Sequence, residues 1–142
     1  MVPNDKLVQQ KLRKIHPNLQ NQIKVELNKL PKAKTIFQVR NSIWVSNSVL
    51  VRKRNGDIQI WVDFRNLNQA CKKENFPLPT MEQILHSVAG FELMTFLDGF
   101  SGYNQILVQP NDRLKTTFRT KWGNYSFQKM PFGLKNAGET FQ

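Results

Sequence analysis

Cysteine is nearly absent: Cys71 stands alone in 142 residues. One thiol excludes an internal disulfide and suits a reducing compartment. Histidine is equally scarce. His16 and His86 lie far apart, so no Cys/His zinc site can be assembled. No apolar run approaches the ~18 residues of a membrane helix. The opening MVPNDKLVQQKLRKIHPN has no signal-peptide core, which predicts an intracellular, unsecreted chain and discounts the glycosylation sequon at Asn124. Repeats and low-complexity linkers are missing too. So are the signatures of nucleophilic catalysis: no G-x-G-x-x-G, Ser-His-Asp order or Cys-His pair stands out. Gly133 and Gly138 have the spacing of a phosphate-binding P-loop. There, however, Glu139 takes the place of the lysine, and no strand-loop-helix context surrounds it.

Acidic residues are few, 10 against 21 Lys and Arg, and the net charge is +11. Its placement matters more than its size. Residues 1–54 hold twelve Lys/Arg against Asp5 and Glu26, a net of +10; residues 55–142 hold nine against eight acids, a net of +1. A basic first third suits a polyanion, because neutralised phosphates release counterions. A solvated basic face without a partner has the same composition. Hydrophobic residues make up 39%, and the length suffices for one compact domain with a real core.

The apolar spacing sketches the elements. Residues 1–18 read as loosely structured. Leu19, Ile23, Leu27 and Leu30 make one helical stripe, and Pro31 is expected to end it. Residues 47–64 read as a hairpin about Asn55-Gly56, a turn whose two central positions need φ > 0. Ile58, Ile60 and Val62 alternate with Gln59, Trp61 and Asp63, so one face is buried. Thr80 and Gln83 form a capping box for a helix that Gly90 stops. Residues 91–98 are expected as a strand, with 104–110 pairing beside it. Residues 116–130 read as a second hairpin around Trp122-Gly123-Asn124, and 130–142 as a loop entering a helix. The sequence stops inside that helix with Phe141 unpacked, so a piece of a longer chain is expected.

Ordered blocks now carry the reading: RKRNGDIQIWVDFRNLN, FPLP, FLDGFSGYNQI, KTTF and MPFGLKNAG. In this order they resemble the reverse transcriptase of gypsy-type long-terminal-repeat retrotransposons, plant elements especially, from about residue 10 onward. The resemblance implies an α+β fold of polymerase fingers plus a partial palm, an antiparallel sheet with helices on one face. Fingers would occupy 19–90 and palm 91–142. It implies that Asp98 closes motif A as a catalytic ligand of Mg²⁺ (or Mn²⁺), helped by the Gly99 carbonyl. It puts Ser101 and Gly102 near an incoming triphosphate and makes Tyr103 the aromatic gate under the sugar. Lys53 would meet the triphosphate tail, and Phe132 and Gly133 would shape the nucleotide pocket. Asp63, Phe64 and Arg65 match the finger block in which Arg65 holds template. The implied partners are an RNA or DNA template-primer and deoxynucleoside triphosphates.

The physics agrees with these roles. Transfer to a 3′-hydroxyl wants two hard cations ~3.5–4 Å apart, and Mg²⁺ needs few carboxylates. A strand terminus holds a carboxylate firmly. Glycines at 99 and 102 let backbone approach phosphate. Two departures weaken the match. Gln59 stands where the family has an arginine that braces the nucleotide. Glutamine has no cation, and a charged hydrogen bond is worth roughly 1.5–3 kcal/mol. Nearby, Trp61 replaces a smaller residue. The later aspartate pair, the thumb and the RNase H domain are also missing from these residues, so Asp98 alone is not expected to run two-metal chemistry.

Overall fold

The computed structural model describes residues 9–73, 79–95 and 102–141. Among these, β1 (Ile36–Val39), β2 (Ser46–Arg52), β3 (Ile58–Val62), β4 (Phe118–Thr120) and β5 (Gly123–Phe127) form one sheet, ordered β1-β5-β4-β2-β3. The helices are α1 (Gln20–Lys32), α2 (Arg65–Ala70), α3 (Met81–Val88), α4 (Pro110–Arg113) and α5 (Ala137–Phe141). The expected α+β class holds. One pairing corrects the all-antiparallel sheet: β2 and β4 run parallel through Ser46↔Phe118 and Asn47↔Arg119. β3 already holds one edge of β2, so β4, arriving after a long crossover, takes the other.

The stripe on α1 behaves as its spacing predicts. Ile23 and Leu27 are buried, Leu30 packs against the core, and the helix lies on β3 and β1. Its end is corrected: Pro31 sits inside the helix. A proline in the last turn forfeits its own N–H only. The closing bonds, Ala33 N–H to Lys29 O (3.1 Å) and Lys34 N–H to Pro31 O (2.9 Å), do not need it.

The β2–β3 hairpin forms with Arg52↔Ile58 as its last pair. Its turn differs from the expected two-residue type. Gly56 N–H bonds Lys53 O (3.0 Å), Lys53 N–H bonds Asp57 O (2.8 Å), and of Asn55 and Gly56 only the glycine has positive φ, at 88°. This is a type I turn closed by a glycine bulge, which spares Asn55 the left-handed region. The second hairpin turns one residue early, at Lys121-Trp122, because Thr120 pairs with Gly123. The Thr80–Gln83 capping box is present in both directions.

The strand expected at 91–98 is not seen in its described part, 91–95; residues 96–98 lie outside the described residues. Among the described residues, 104–110 pair with the segment after β5. After a 3-10 turn (Gly102–Gln105), Val108 N–H bonds Gln128 O (2.9 Å) and Met130 N–H bonds Ile106 O (2.8 Å). The segment leaving β5 offers free backbone groups, and buried ones must be satisfied.

The core gathers Leu27 from α1, Leu67 from α2, Phe118 and Phe127 from β4 and β5, and Trp44 and Phe64 from the segments leading into β2 and α2. A buried hydroxyl pair crosses it: Thr117 Oγ1 and Ser126 Oγ lie 2.6 Å apart. From Gln9 on, the N-terminal segment is tied to the start of β2. Gln10 N–H bonds Val45 O (2.9 Å), and the Asn47 amide donates to Lys11 O (2.7 Å).

Candidate nucleotide and nucleic-acid site

Asp98, Gly99 and Ser101 lie outside the described residues. Among the described residues no group of three or more His, Cys, Asp or Glu comes together to hold a metal ion. The described side chains therefore do not by themselves fit a divalent-cation centre.

What does converge is aromatic. Tyr103 follows Gly102 in the 3-10 turn, and Phe132 precedes the turn at Gly133. Twenty-nine positions apart in sequence, their ring centroids lie 5.0 Å apart. Phe132 also stacks on Trp61 of β3, centroids 6.3 Å and planes 27° apart. At the other end Phe141 meets Tyr103 edge-on at 5.4 Å. Phe141 thus has a packing partner, contrary to the sequence expectation. Gly102 makes room for it: a Cβ there would fall 2.7 Å from the tip of the Phe141 ring and push it aside. The row runs Trp61, Phe132, Tyr103, Phe141.

The Phe132–Gly133 turn is hooked to α2. Asn68 donates its amide to Gly133 O (2.7 Å) and accepts from Lys135 N–H (2.9 Å). Asn136 adds a bond to Lys72 O (2.9 Å). Sequence reasoning missed Asn68; an asparagine in a short helix carries no local sign of a partner 65 residues on. It also missed the Trp61–Phe132 stack, whose only sign was an aromatic on the strand face assigned to solvent.

In the finger block the three residues divide their work. Phe64 is buried, edge-on to Phe127 at 6.1 Å. Asp63 is buried too, although strand alternation put it on the open face. Arg65 grips it with two bonds, Nε to Oδ1 (2.8 Å) and Nη2 to Oδ2 (2.7 Å), and Arg13 reaches Oδ2 at 3.3 Å. A planar fork on a carboxylate fixes the guanidinium's direction. Arg65 itself stays 79% exposed along its side chain, so of the three it is the one open to a ligand.

The Arg65 hydrogen bond holds the Asp63 carboxyl below its ordinary value of 3.8, against the opposing effect of burial; the Arg65 backbone N–H and the charges of Arg65 and Arg13 add to it. A depressed folded pKa contributes stability that is fully present above the unfolded value and lost as pH falls through the folded one. We expect the urea midpoint to hold from pH 7 to about 4 and to drop below it. Asp63→Asn should lower the neutral midpoint and flatten that acid limb; a limb unchanged in Asp63→Asn would show that other carboxylates produce it.

Lys53 opens the β2–β3 turn and is exposed. The Arg52, Lys53 and Arg54 side chains have no ion-pair partner among the described residues. Below the turn, Gln59, Trp61, Asn104 and Phe132 border a cavity of about 140 Å³. A larger one, about 470 Å³, lies between α2, α5 and the segment around Val108. Cys71 lines it, and burial pushes its thiol up, away from the reactive thiolate.

Residues 51–142 match the family described as "Reverse transcriptase (RNA-dependent DNA polymerase)". The chain is 39% identical over 88 residues to the Retrovirus-related Pol polyprotein from transposon gypsy of Drosophila melanogaster, covering 62% of this chain and 8% of that protein. It is 35% identical over 127 residues to the counterpart from transposon 412 of the same species, covering 85% and 10%. The chain thus spans about a tenth of the length of these relatives. Among solved structures it resembles prototype foamy virus protease-reverse transcriptase, with TM-score 0.82 at 23% identity over 93% of this chain and 18% of that one. The foamy viral protease-reverse transcriptase in complex with RNA/DNA hybrid gives TM-score 0.75 at 15% identity, again over 93% and 18%. At these identities the structures speak for the fold.

Proposed function

Because the chain belongs to the reverse transcriptase family, we propose that it forms the fingers (19–90) and first palm segment (91–142) of an RNA-directed DNA polymerase. The observation that carries this reading is the meeting of Tyr103 and Phe132, 5.0 Å apart beside the basic β2–β3 hairpin. In this reading Tyr103 presents its ring beneath the sugar of an incoming nucleotide, and Phe132 and Gly133 close the pocket wall. Lys53 attracts the triphosphate, with Ser101 and Gly102 near it, and Arg65, aimed by Asp63, holds template. Asp98 and the Gly99 carbonyl would hold Mg²⁺ or Mn²⁺ together with further carboxylates. When bound, such cations activate the attacking hydroxyl and steady the leaving pyrophosphate. RNA or DNA template-primer is the partner; complexes of the structural neighbours with double-stranded DNA and with RNA/DNA hybrid support this.

The 142 residues alone are expected to give no primer extension with Mg²⁺ or Mn²⁺. Template-dependent product that Asp98→Ala abolishes would defeat that expectation. A second reading, a non-catalytic nucleic-acid-binding module, is favoured by the +10 charge of residues 1–54. It predicts retention of single strands on filters at low salt, falling steeply as salt rises; no retention at low salt would remove it.

A further inference from the structure

One guanidinium is enough to neutralise the buried Asp63 carboxylate, and Arg65 supplies it; Arg13 brings a second. The two oxygens of a carboxylate offer about four acceptor sites, and here all four are taken. Oδ1 accepts from the Arg65 backbone N–H (3.3 Å) and from Arg65 Nε (2.8 Å). Oδ2 accepts from Arg65 Nη2 (2.7 Å) and from Arg13 Nη2 (3.3 Å). The Arg13 side chain is 52% exposed. An ion pair held that close to water adds little to folding, so stability alone gives Arg13 little reason to be there. Its approach is nevertheless built in. Asn47 is buried, and it joins the N-terminal segment to Asp63. Its N–H donates to Gln10 Oε1 (2.9 Å), its side-chain amide to Lys11 O (2.7 Å), and its carbonyl accepts from Asp63 N–H (2.9 Å). One buried residue thus sets the segment carrying Arg13 beside the backbone carrying Asp63.

We propose that Arg13 is a positioning residue for nucleic-acid binding: it fills the last acceptor site on Asp63 and so locks the carboxylate that aims Arg65 at a phosphate. The inference rests on the polymerase reading, in which Arg65 holds template, and adds the N-terminal segment to it. Arg13 precedes residues 51–142, which match the family, and lies 50 positions from Asp63 in sequence. The fork on Asp63 engages Arg65 through Nε and Nη2, which leaves three of the five guanidinium N–H groups for a ligand. Their direction is set by the plane of the carboxylate, because the two bonds of the fork are parallel. With Oδ2 held from both sides that plane cannot turn. Without Arg13 the open site on Oδ2 faces water, the carboxylate is free to rotate, and the fork opens to a single bond.

The test is fluorescence anisotropy of a labelled single-stranded oligonucleotide of about 12 nucleotides with the full chain at low salt. Arg65→Ala should weaken binding about tenfold, and Arg13→Ala about threefold. Arg13→Lys returns a cation and a donor to Asp63 and should recover most of that loss. The deciding background is Asp63→Asn with Arg65→Ala, which leaves no buried charge unpaired and nothing for Arg13 to position. There Arg13→Ala should add no further loss. A threefold loss in that background as well would mean that Arg13 meets phosphate itself, which overturns the inference. Unchanged affinity in Arg13→Ala, with Arg65→Ala weakened, overturns it too and leaves the polymerase reading standing. Wild-type affinity in Arg65→Ala takes Arg65 off the template and the inference with it.

Discussion

Phe118→Ala should cost about 3–5 kcal/mol of folding stability. Phe118 is fully buried on β4, the middle strand of five. Its ring packs on Phe127 at 5.3 Å and Tyr125 at 6.0 Å. The cost of a large-to-small change depends on how far the walls can relax into the void. Here they are held on both sides: Ser46 pairs with Phe118 from β2, and Tyr125 from β5. The hydroxyl pair Thr117–Ser126 fastens β4 to β5 at the next positions. Little collapse is possible, so the upper part of the range is expected. Domains of this size have only about 5–15 kcal/mol in hand, so the variant should unfold at a much lower urea concentration. Leu107→Ala is the comparison: Leu107 is 59% exposed, and its loss should stay within about 0.5 kcal/mol. Equal midpoint shifts for the two would mean that the core does not centre on Phe118.

The same sheet shows what a sequence can reveal and what it cannot. The Ile23–Leu27 stripe, the Thr80 capping box and both hairpins were legible because each depends on residues within one or two turns of one another. The parallel β2–β4 pairing was not. It joins segments separated by the whole α2–α4 stretch, and no local pattern records which edge a late strand will take. Local rules also failed in detail where one bond changed the count. Pro31 stayed inside its helix, and Asn55 avoided the left-handed region because Gly56 alone supplied it. At the candidate site the family blocks pointed to Tyr103, Phe132 and Arg65 by position, but not to what holds them. Asp63 aims Arg65, Asn68 hooks the Gly133 turn and Phe141 lies over Gly102. These are partnerships across the fold, and each partner alone looks ordinary in sequence.

Gly102 and Gly133 both sit in the aromatic row, yet substitution at the two should behave oppositely. Gly133 has φ 92°, and a Cβ there would meet nothing closer than Phe64 at 3.9 Å. Space is available, so the penalty is torsional: about 1–2 kcal/mol for Ala and more for Val, whose branched Cβ makes the left-handed region an outlier. Asn, which tolerates that region, should cost least. Relieving the strain means turning the backbone, which pulls Gly133 O off the Asn68 amide (2.7 Å) and swings Phe132 away from Trp61 and Tyr103. Gly133→Val should therefore lose more stability than Gly133→Ala. At Gly102 the obstacle is steric. A Cβ falls 2.7 Å from the tip of the Phe141 ring, the end of a side chain that is 47% exposed and so has solvent to move into. Gly102→Ala should cost little, and adding Phe141→Ala should remove what cost remains. No second-site truncation should rescue Gly133→Val, because a torsion has no neighbour to delete. Urea midpoints for these variants, and for Gly133→Val combined with Phe64→Ala, decide it: rescue at 133, or failure of rescue at 102, would show that the two glycines are kept for reasons other than these.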